Sequence, residues 1–239
     1  MIESVNNEKV KYWTKLKDKK YQGSEGLYLV EGEHLVEEAY EAGVLEEVIV
    51  LDGNEFDYEN ANIVSESVMK KITSLTTVPR IIGVAKITVS DKIYGRVLLL
   101  DGIQDPGNMG TIIRSSVAFG VDTLVLGTGS VSIYNPKVLR ASEGMIFKLN
   151  IVERDLYEIL KELKSSGYKI YTTDVNDGKE LKSIEFPEKT AIIIGNEGNG
   201  VSDSIEAFAD DYLYIKMNDG CESLNAAVAT SIILYELNR

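Results

Sequence analysis

What the chain of 239 residues lacks narrows it first. A single cysteine, Cys221, excludes an intramolecular disulfide and leaves no Cys-rich metal site. A single histidine, His34, and the absence of a serine or cysteine nucleophile signature make a triad hydrolase a poor fit. His34 opens a helix and reads as structural; Cys221 has no partner histidine nearby and is not read as a nucleophile. No apolar run approaches the ~20 residues that span a bilayer, and the Lys-rich first 25 residues have no apolar leader core. The expectation is a soluble, cytoplasmic protein with no membrane partner. Positive charge is scarce too. Lys and Arg number 25 against 38 Asp and Glu, a net charge of −13, which argues against indiscriminate nucleic-acid binding because phosphate contacts need cations. The deficit is shared evenly, with 11 basic and 17 acidic residues before position 96 and 14 and 21 from there on, so neither half is a basic domain.

A local basic stretch does exist. Residues 1–22 hold Lys9, Lys11, Lys15, Lys17, Lys19 and Lys20 against Glu3, Glu8 and Asp18, about +3, with Tyr12, Trp13 and Tyr21 interleaved. Such an arm could grip RNA by charge and stacking, or could be one face of a solvated amphipathic helix. The spacing of Val5, Val10, Trp13 and Leu16 predicts a helix over 4–20 with Ser4 as N-cap. Strands follow at 27–30, 48–51, 62–64 and 81–87, with helices at 34–42 and 66–75, so residues 1–90 form a small α/β unit. The polar stretch Ser90–Gly95 reads as a linker, 91–95, and residues 96–239 as a second domain. There strands at 97–100, 123–126, 147–151, 169–173, 191–195 and 212–215 alternate with helices at 109–119, 136–143, 155–166, 202–208 and 223–237. That rhythm implies a mostly parallel sheet covered on both faces.

Three polar constellations interrupt the second domain. The buried-strand run Val97–Leu100 enters Asp105-Pro106-Gly107-Asn108-Met109-Gly110 and then a helix, placing Asn108 and Arg114 at the carboxyl mouth of a strand, where open α/β sheets bind ligands. Ile192-Ile193-Ile194 runs into Gly195-Asn196-Glu197-Gly198-Asn199-Gly200. This loop lacks the Lys-Ser/Thr of a P-loop and the glycine spacing of a dinucleotide fingerprint, but its glycines let backbone amides approach a ligand. Glu197 has little to pack against there and is free to bond a ligand. In Met217–Ala229, Ser223 can cap the last helix with Asn225 in its first turn, while Ala226, Ala227 and Ala229 permit close packing.

Asn108-x-Gly110-x-x-x-Arg114, Asn135-Pro136-Lys137-Val138-Leu139-Arg140-Ala141-Ser142-x-Gly144, Gly195-Asn196-Glu197-Gly198-x-Gly200 and Ser223-Leu224-Asn225-x-x-Val228-Ala229 together resemble the ordered motifs of the SpoU (TrmH-type) RNA ribose 2′-O-methyltransferases, of the SPOUT class. Ala226-Ala227 stands where the family more often has Val-Ser. The resemblance covers residues 96–239 well, and residues 1–90 resemble the small substrate-binding domain that some members carry. It implies an α/β fold with a trefoil knot in the mostly parallel C-terminal sheet, a homodimer, and S-adenosyl-L-methionine as cofactor with no metal. By position it assigns Arg114, Asn108, Glu197, Ser223 and Asn225 to catalysis and Thr172, Gly195, Ile215 and Leu224 to the cofactor. Arg140, Lys15, Lys17, Lys19 and Lys20 complete the expected RNA contacts. The expected substrate is a structured site in 23S rRNA; a tRNA 2′-O-methyltransferase and a non-catalytic RNA-binding protein on the same fold are the alternatives.

Overall fold

The computed structural model describes residues 1–174, 178–218, 220 and 222–239, so Cys221 and Asp219 lie outside the described residues. The chain divides into two compact units, Met1–Thr88 with Ser132–Phe147, and Val89–Val131 with Lys148–Arg239.

In chain order the first unit begins with α1 (Glu8–Lys15), α2 (Lys19–Glu25), β1 (Leu27–Glu31), α3 (Glu33–Glu41), β2 (Leu45–Leu51), β3 (Asn62–Val64), α4 (Glu66–Ile72) and β4 (Ile81–Lys86). The four strands form one sheet in the order β1-β4-β2-β3, antiparallel except for β2 and β3. The helix expected over 4–20 is two helices. Asn7, not Ser4, caps the first through Lys9 N (2.9 Å), and the Asp18 carboxylate caps the second through Lys20 N (2.8 Å), a competing start that breaks the run. Val10, Trp13 and Leu16 are fully buried against Ile49, Met69 and Ile82. Trp13 is therefore a core residue and offers no ring to RNA.

The second unit opens with β5 (Val97–Asp101), α5 (Pro106–Ala118) and β6 (Thr123–Leu126). The chain then returns to the first unit for α6 (Pro136–Ser142), where the Tyr134 ring packs on Tyr28 at 4.6 Å and His34 Nε2 meets Glu143 O at 3.3 Å. The segment 132–147 thus packs with residues 1–88. β7 (Asn150–Glu153) follows a short 3₁₀ turn at Met145–Lys148, so the strand expected at 147–151 starts later. α7 (Leu156–Ser165), β8 (Lys169–Thr173), β9 (Lys179–Glu180), β10 (Thr190–Gly195), α8 (Asp203–Glu206), β11 (Asp211–Tyr214) and α9 (Ala226–Leu237) complete the chain.

Every pairing in the second sheet, order β7-β6-β5-β10-β8-β11-β9, is parallel. The all-apolar runs of β5, β6 and β10 match burial on both faces. Leu99, Val125, Val152 and Ile193 pack against α7 on one face. Alternation sends Leu98, Leu100, Ile192 and Ile194 to the other, the side of α9, which packs on β10 and on α5. The Ser115 and Ser231 hydroxyls bond across the α5–α9 contact at 2.7 Å, in keeping with the small residues along α9.

Candidate active site

β8, β10 and β11 end on the same edge of the sheet, and their carboxyl ends open onto a cavity of about 540 Å³. Ile194, Leu213, Ile215, Leu224 and Ala229 supply its apolar walls; Asp174, Glu197, Ser223 and Asn225 supply polar groups. The glycine-rich loop after β10 forms one side.

That loop is a closed structure. Asn196 N donates to Gly200 O (2.9 Å) and Gly200 N to Asn196 O (3.0 Å). The Asn196 side chain adds three bonds, Nδ2 donating to Gly102 O (2.7 Å) and Oδ1 accepting from Gly198 N (2.9 Å) and Asn199 N (3.2 Å). Past the loop, Asp101 Oδ2 accepts from both Ser202 N and Ser202 Oγ at 2.8 Å, tying the loop's exit to β5. A Cβ on Gly195 would lie 2.1 Å from Gly200 C and 2.2 Å from Val201 N. Glycine is thus demanded by the loop's own returning backbone, a different reason from the ligand approach that the sequence suggested.

The three motifs meet in one run of hydrogen bonds. Asp105 caps α5 by accepting from Asn108 N (2.8 Å), with Pro106 in the first turn, where no backbone donor is needed. The buried Asn108 then donates from Nδ2 to Glu197 Oε1 (2.9 Å) and accepts at Oδ1 from Asn225 Nδ2 (2.8 Å). Asn225 Oδ1 in turn accepts from Ala227 N (3.0 Å) and Val228 N (3.2 Å), so Asn225, and not Ser223, is the N-cap of α9. Glu197 also accepts from Gln104 N (3.3 Å) and Asp105 N (3.2 Å). Partial burial works against its charge, but the Asn108 amide and the backbone donors of Glu197, Gln104 and Asp105 outweigh that and hold the carboxyl below its ordinary range.

Of the residues expected to hold a cofactor, Gly195, Ile215 and Leu224 line the cavity. Thr172 does not; it is fully buried in β8, while Thr173, on the opposite face of the strand, and Asp174, one residue past its end, line the space instead. Ser223 lines the cavity as well. Arg114 is exposed on α5, outside the cavity lining, and its side chain bonds to no described residue. Sequence reasoning passed over Asn196, Asp101 and Asp174; the one available signal was that each ends or follows a buried strand run.

The lysines fare differently from one another. Lys17 Nζ donates to Thr73 O (2.8 Å) and Lys71 O (3.4 Å), which makes it a clamp on the end of α4. Lys15 lies 5.6 Å from the Tyr21 ring, and Lys19 and Lys20 are exposed at the start of α2. Arg140, in α6, is half-buried, and its Nη1 has no hydrogen-bond partner among the described residues. No group of His, Cys, Asp or Glu among the described residues is arranged to hold a metal ion, and no described helix is long and apolar enough to cross a membrane.

Residues 95–235 match the model of the SpoU rRNA Methylase family, and residues 7–83 that of the MRM3-like substrate binding domain. The chain belongs to the SpoU rRNA methylase family. Among its relatives, the 23S rRNA (guanosine(2553)-2′-O)-methyltransferase RlmP of Bacillus subtilis (strain 168) is 39% identical over 99% of this chain and 98% of its own. A solved TrmH-family structure from Porphyromonas gingivalis superposes with a TM-score of 0.86 at 30% identity, covering 98% of both chains. The SpoU methyltransferase AviRb from Streptomyces viridochromogenes, solved with AdoMet, has the same fold, with a TM-score of 0.86 at 24% identity over 98% of this chain and 97% of its own. The SpoU family match spans all three members of the hydrogen-bonded run, Asn108, Glu197 and Asn225.

Proposed function

We propose that this protein transfers a methyl group from S-adenosyl-L-methionine to the 2′-hydroxyl of a guanosine ribose in 23S rRNA. The observation that carries the reading is the run Glu197–Asn108–Asn225 at the cavity. The full-length match to RlmP extends the reading to the substrate and favours rRNA over tRNA. The cavity suits the cofactor: about 540 Å³ falls within the ~300–1,000 Å³ of small-molecule sites. It also offers apolar walls for a base.

The cofactor supplies a methyl group on a positively charged sulfur. The protein must align the ribose oxygen with it and deal with the hydroxyl proton. The Arg114 side chain has no partner among the described residues, so it serves as a cationic clamp on the target phosphate and 2′-hydroxyl that stabilises the oxygen as its proton passes to phosphate or solvent. Asn108, locked by Glu197, and Asn225 with Ser223 orient the ribose.

The same proposal includes a homodimer, a trefoil knot and a cytoplasmic location. Val228, Ile232 and Tyr235 expose 47%, 37% and 60% of their surface at successive turns of α9, with Phe119 edge-on to Tyr235 at 5.8 Å, an apolar stripe that supports self-association. For the knot, the support is that β10 lies between β5 and β8 although β8 precedes it in sequence. Residues 1–90 select the RNA, with Lys15, Lys19 and Lys20, joined by Arg140 of α6, as phosphate contacts, and residues 96–239 carry the chemistry.

The test is to map 2′-O-methylation in 23S rRNA from cells with and without the gene, complementing with wild type or Arg114→Ala. One guanosine methyl should vanish and return with wild type alone, while purified Arg114→Ala binds S-adenosyl-L-methionine normally. A methyl lost from tRNA instead, or transfer by Arg114→Ala, overturns the reading.

A further inference from the structure

Asp174 and Glu197 are the two acidic side chains among the described residues that line the cavity. Glu197 is engaged by Asn108 and by the backbone at the entrance to α5. Asp174 is half-buried one residue past β8, its own N–H donating to Leu213 O at 3.1 Å, which fixes it beside the end of β11. β8 is the parallel neighbour of β10, the strand that carries the glycine loop. A glycine loop after one parallel strand and an acid at the carboxyl end of the next is the arrangement through which doubly wound folds hold the hydroxyls of a nucleoside ribose. The physical reason transfers to this sheet: a vicinal diol offers two O–H donors, and a carboxylate at the wall accepts both while the base packs on apolar neighbours such as Ile194 and Leu213.

We infer that Asp174 is the residue that recognises the ribose diol of the nucleoside ligand in this cavity. The inference rests on the cofactor reading above. Its test is calorimetry on the full chain with S-adenosyl-L-methionine, with S-adenosylhomocysteine and with the latter's 2′-deoxy and 3′-deoxy counterparts, for wild type, Asp174→Asn and Asp174→Ala. Wild type should prefer the ribose form by about tenfold or more, the scale of a hydrogen bond to a charged group. The variants should lose at least that factor for the ribose form, lose less for each monodeoxy form, which keeps one of the two hydroxyls, and so show little preference among the three. Asp174→Asn, being isosteric, carries the test where Asp174→Ala fails to fold. A preference that survives in the variants, or an equal fall for ribose and deoxy forms, overturns the inference. So does a loss confined to S-adenosyl-L-methionine with S-adenosylhomocysteine unaffected, which would mean pairing with the sulfonium. A wild-type chain that binds none of these nucleosides would instead overturn the cofactor reading itself.

Discussion

Replacing Asn225 separates two roles carried by the two ends of one amide. Its Oδ1 caps α9 through Ala227 N and Val228 N, and its Nδ2 donates to Asn108 Oδ1 at 2.8 Å. Asn225→Asp keeps an acceptor at the cap, where the helix dipole favours negative charge. It also sets an oxygen against Asn108 Oδ1. Asn108 cannot relieve this by turning its amide, because its Nδ2 is held by Glu197 and the turn would bring oxygen against that carboxylate. A neutral hydrogen bond worth about 0.5–1.5 kcal/mol becomes a repulsion. Asn225→Ala removes the same bond and the cap, about 1 kcal/mol more, so it should cost about 2 kcal/mol in urea unfolding at unchanged m-value. Asn225→Asp should cost less stability than Asn225→Ala, yet disturb the site as much, lowering methyl transfer and cofactor affinity. The pH response gives the sharper signature. The cap donors and the helix dipole favour the carboxylate, while the facing Asn108 oxygen disfavours it and holds its folded-state pKa above that of a cap with no oxygen opposite. The penalty from that oxygen is present at neutral pH and is relieved as pH falls through the folded pKa, when the acid becomes a donor. An Asn225→Asp protein that matches wild type in stability and affinity at pH 7 and shows no such recovery would refute this account of the site.

Three further outcomes follow from single contacts. Gly195→Ala should weaken cofactor binding by more than tenfold and destabilise by about 1–3 kcal/mol, read by calorimetry and melting, since its Cβ would strike the Gly200 and Val201 backbone. Lys17→Met should lower the stability of the chain by about 1 kcal/mol in urea through the orphaned carbonyls at the end of α4, whereas Lys19→Gln and Lys20→Gln should leave stability unchanged and each reduce the salt slope of RNA binding by about one. The lowered pKa of Glu197 means that its contribution to stability is complete above the unfolded carboxyl value and is lost as pH falls through the folded one. Glu197→Gln should flatten the acid side of the stability profile measured by urea unfolding at a series of pH values.

Local patterns carried the elements of the second sheet except the two-residue β9. Apolar runs such as Leu98–Leu100 and Ile192–Ile194 need no partner to be read as buried strands, and the polar loops that end them mark the cavity edge. What failed was set by single residues or distant contacts. The break between α1 and α2 turns on the Asp18 cap, which an amphipathic pattern does not weigh against propagation. A stacking role for Trp13 failed too: the residue sits among lysines in sequence and wholly in the core in space, on the apolar face that its spacing with Val10 and Leu16 predicts, because flanking long side chains can leave by the opposite face of one helix. The choice between Thr172 and Thr173 is a step of one residue along a strand, which exchanges the two faces. Residues 132–147 pack with the first unit through Tyr134 on Tyr28, a contact across more than a hundred positions that no local pattern contains.

The motifs themselves were visible, but not why they must occur together. Their polar members lie 89 and 117 positions apart, and the structure joins them into a run with backbone donors at both ends: Gln104 and Asp105 at the entrance to α5, Ala227 and Val228 at the entrance to α9. Two helix N-termini are therefore bridged by three side chains. The bridge has one charged member, and it stands where the dipole of the 13-residue α5 stabilises an anion. Each amide between the ends is oriented by its neighbour. Glu197 accepts, so Asn108 must present its nitrogen there and its oxygen to Asn225, and Asn225 must then present its oxygen to α9. A change at any one position reverses the polarity required of the next, so the glutamate and the two asparagines work as one unit that positions the rim of the cavity, and replacing any one of them should disturb the other two.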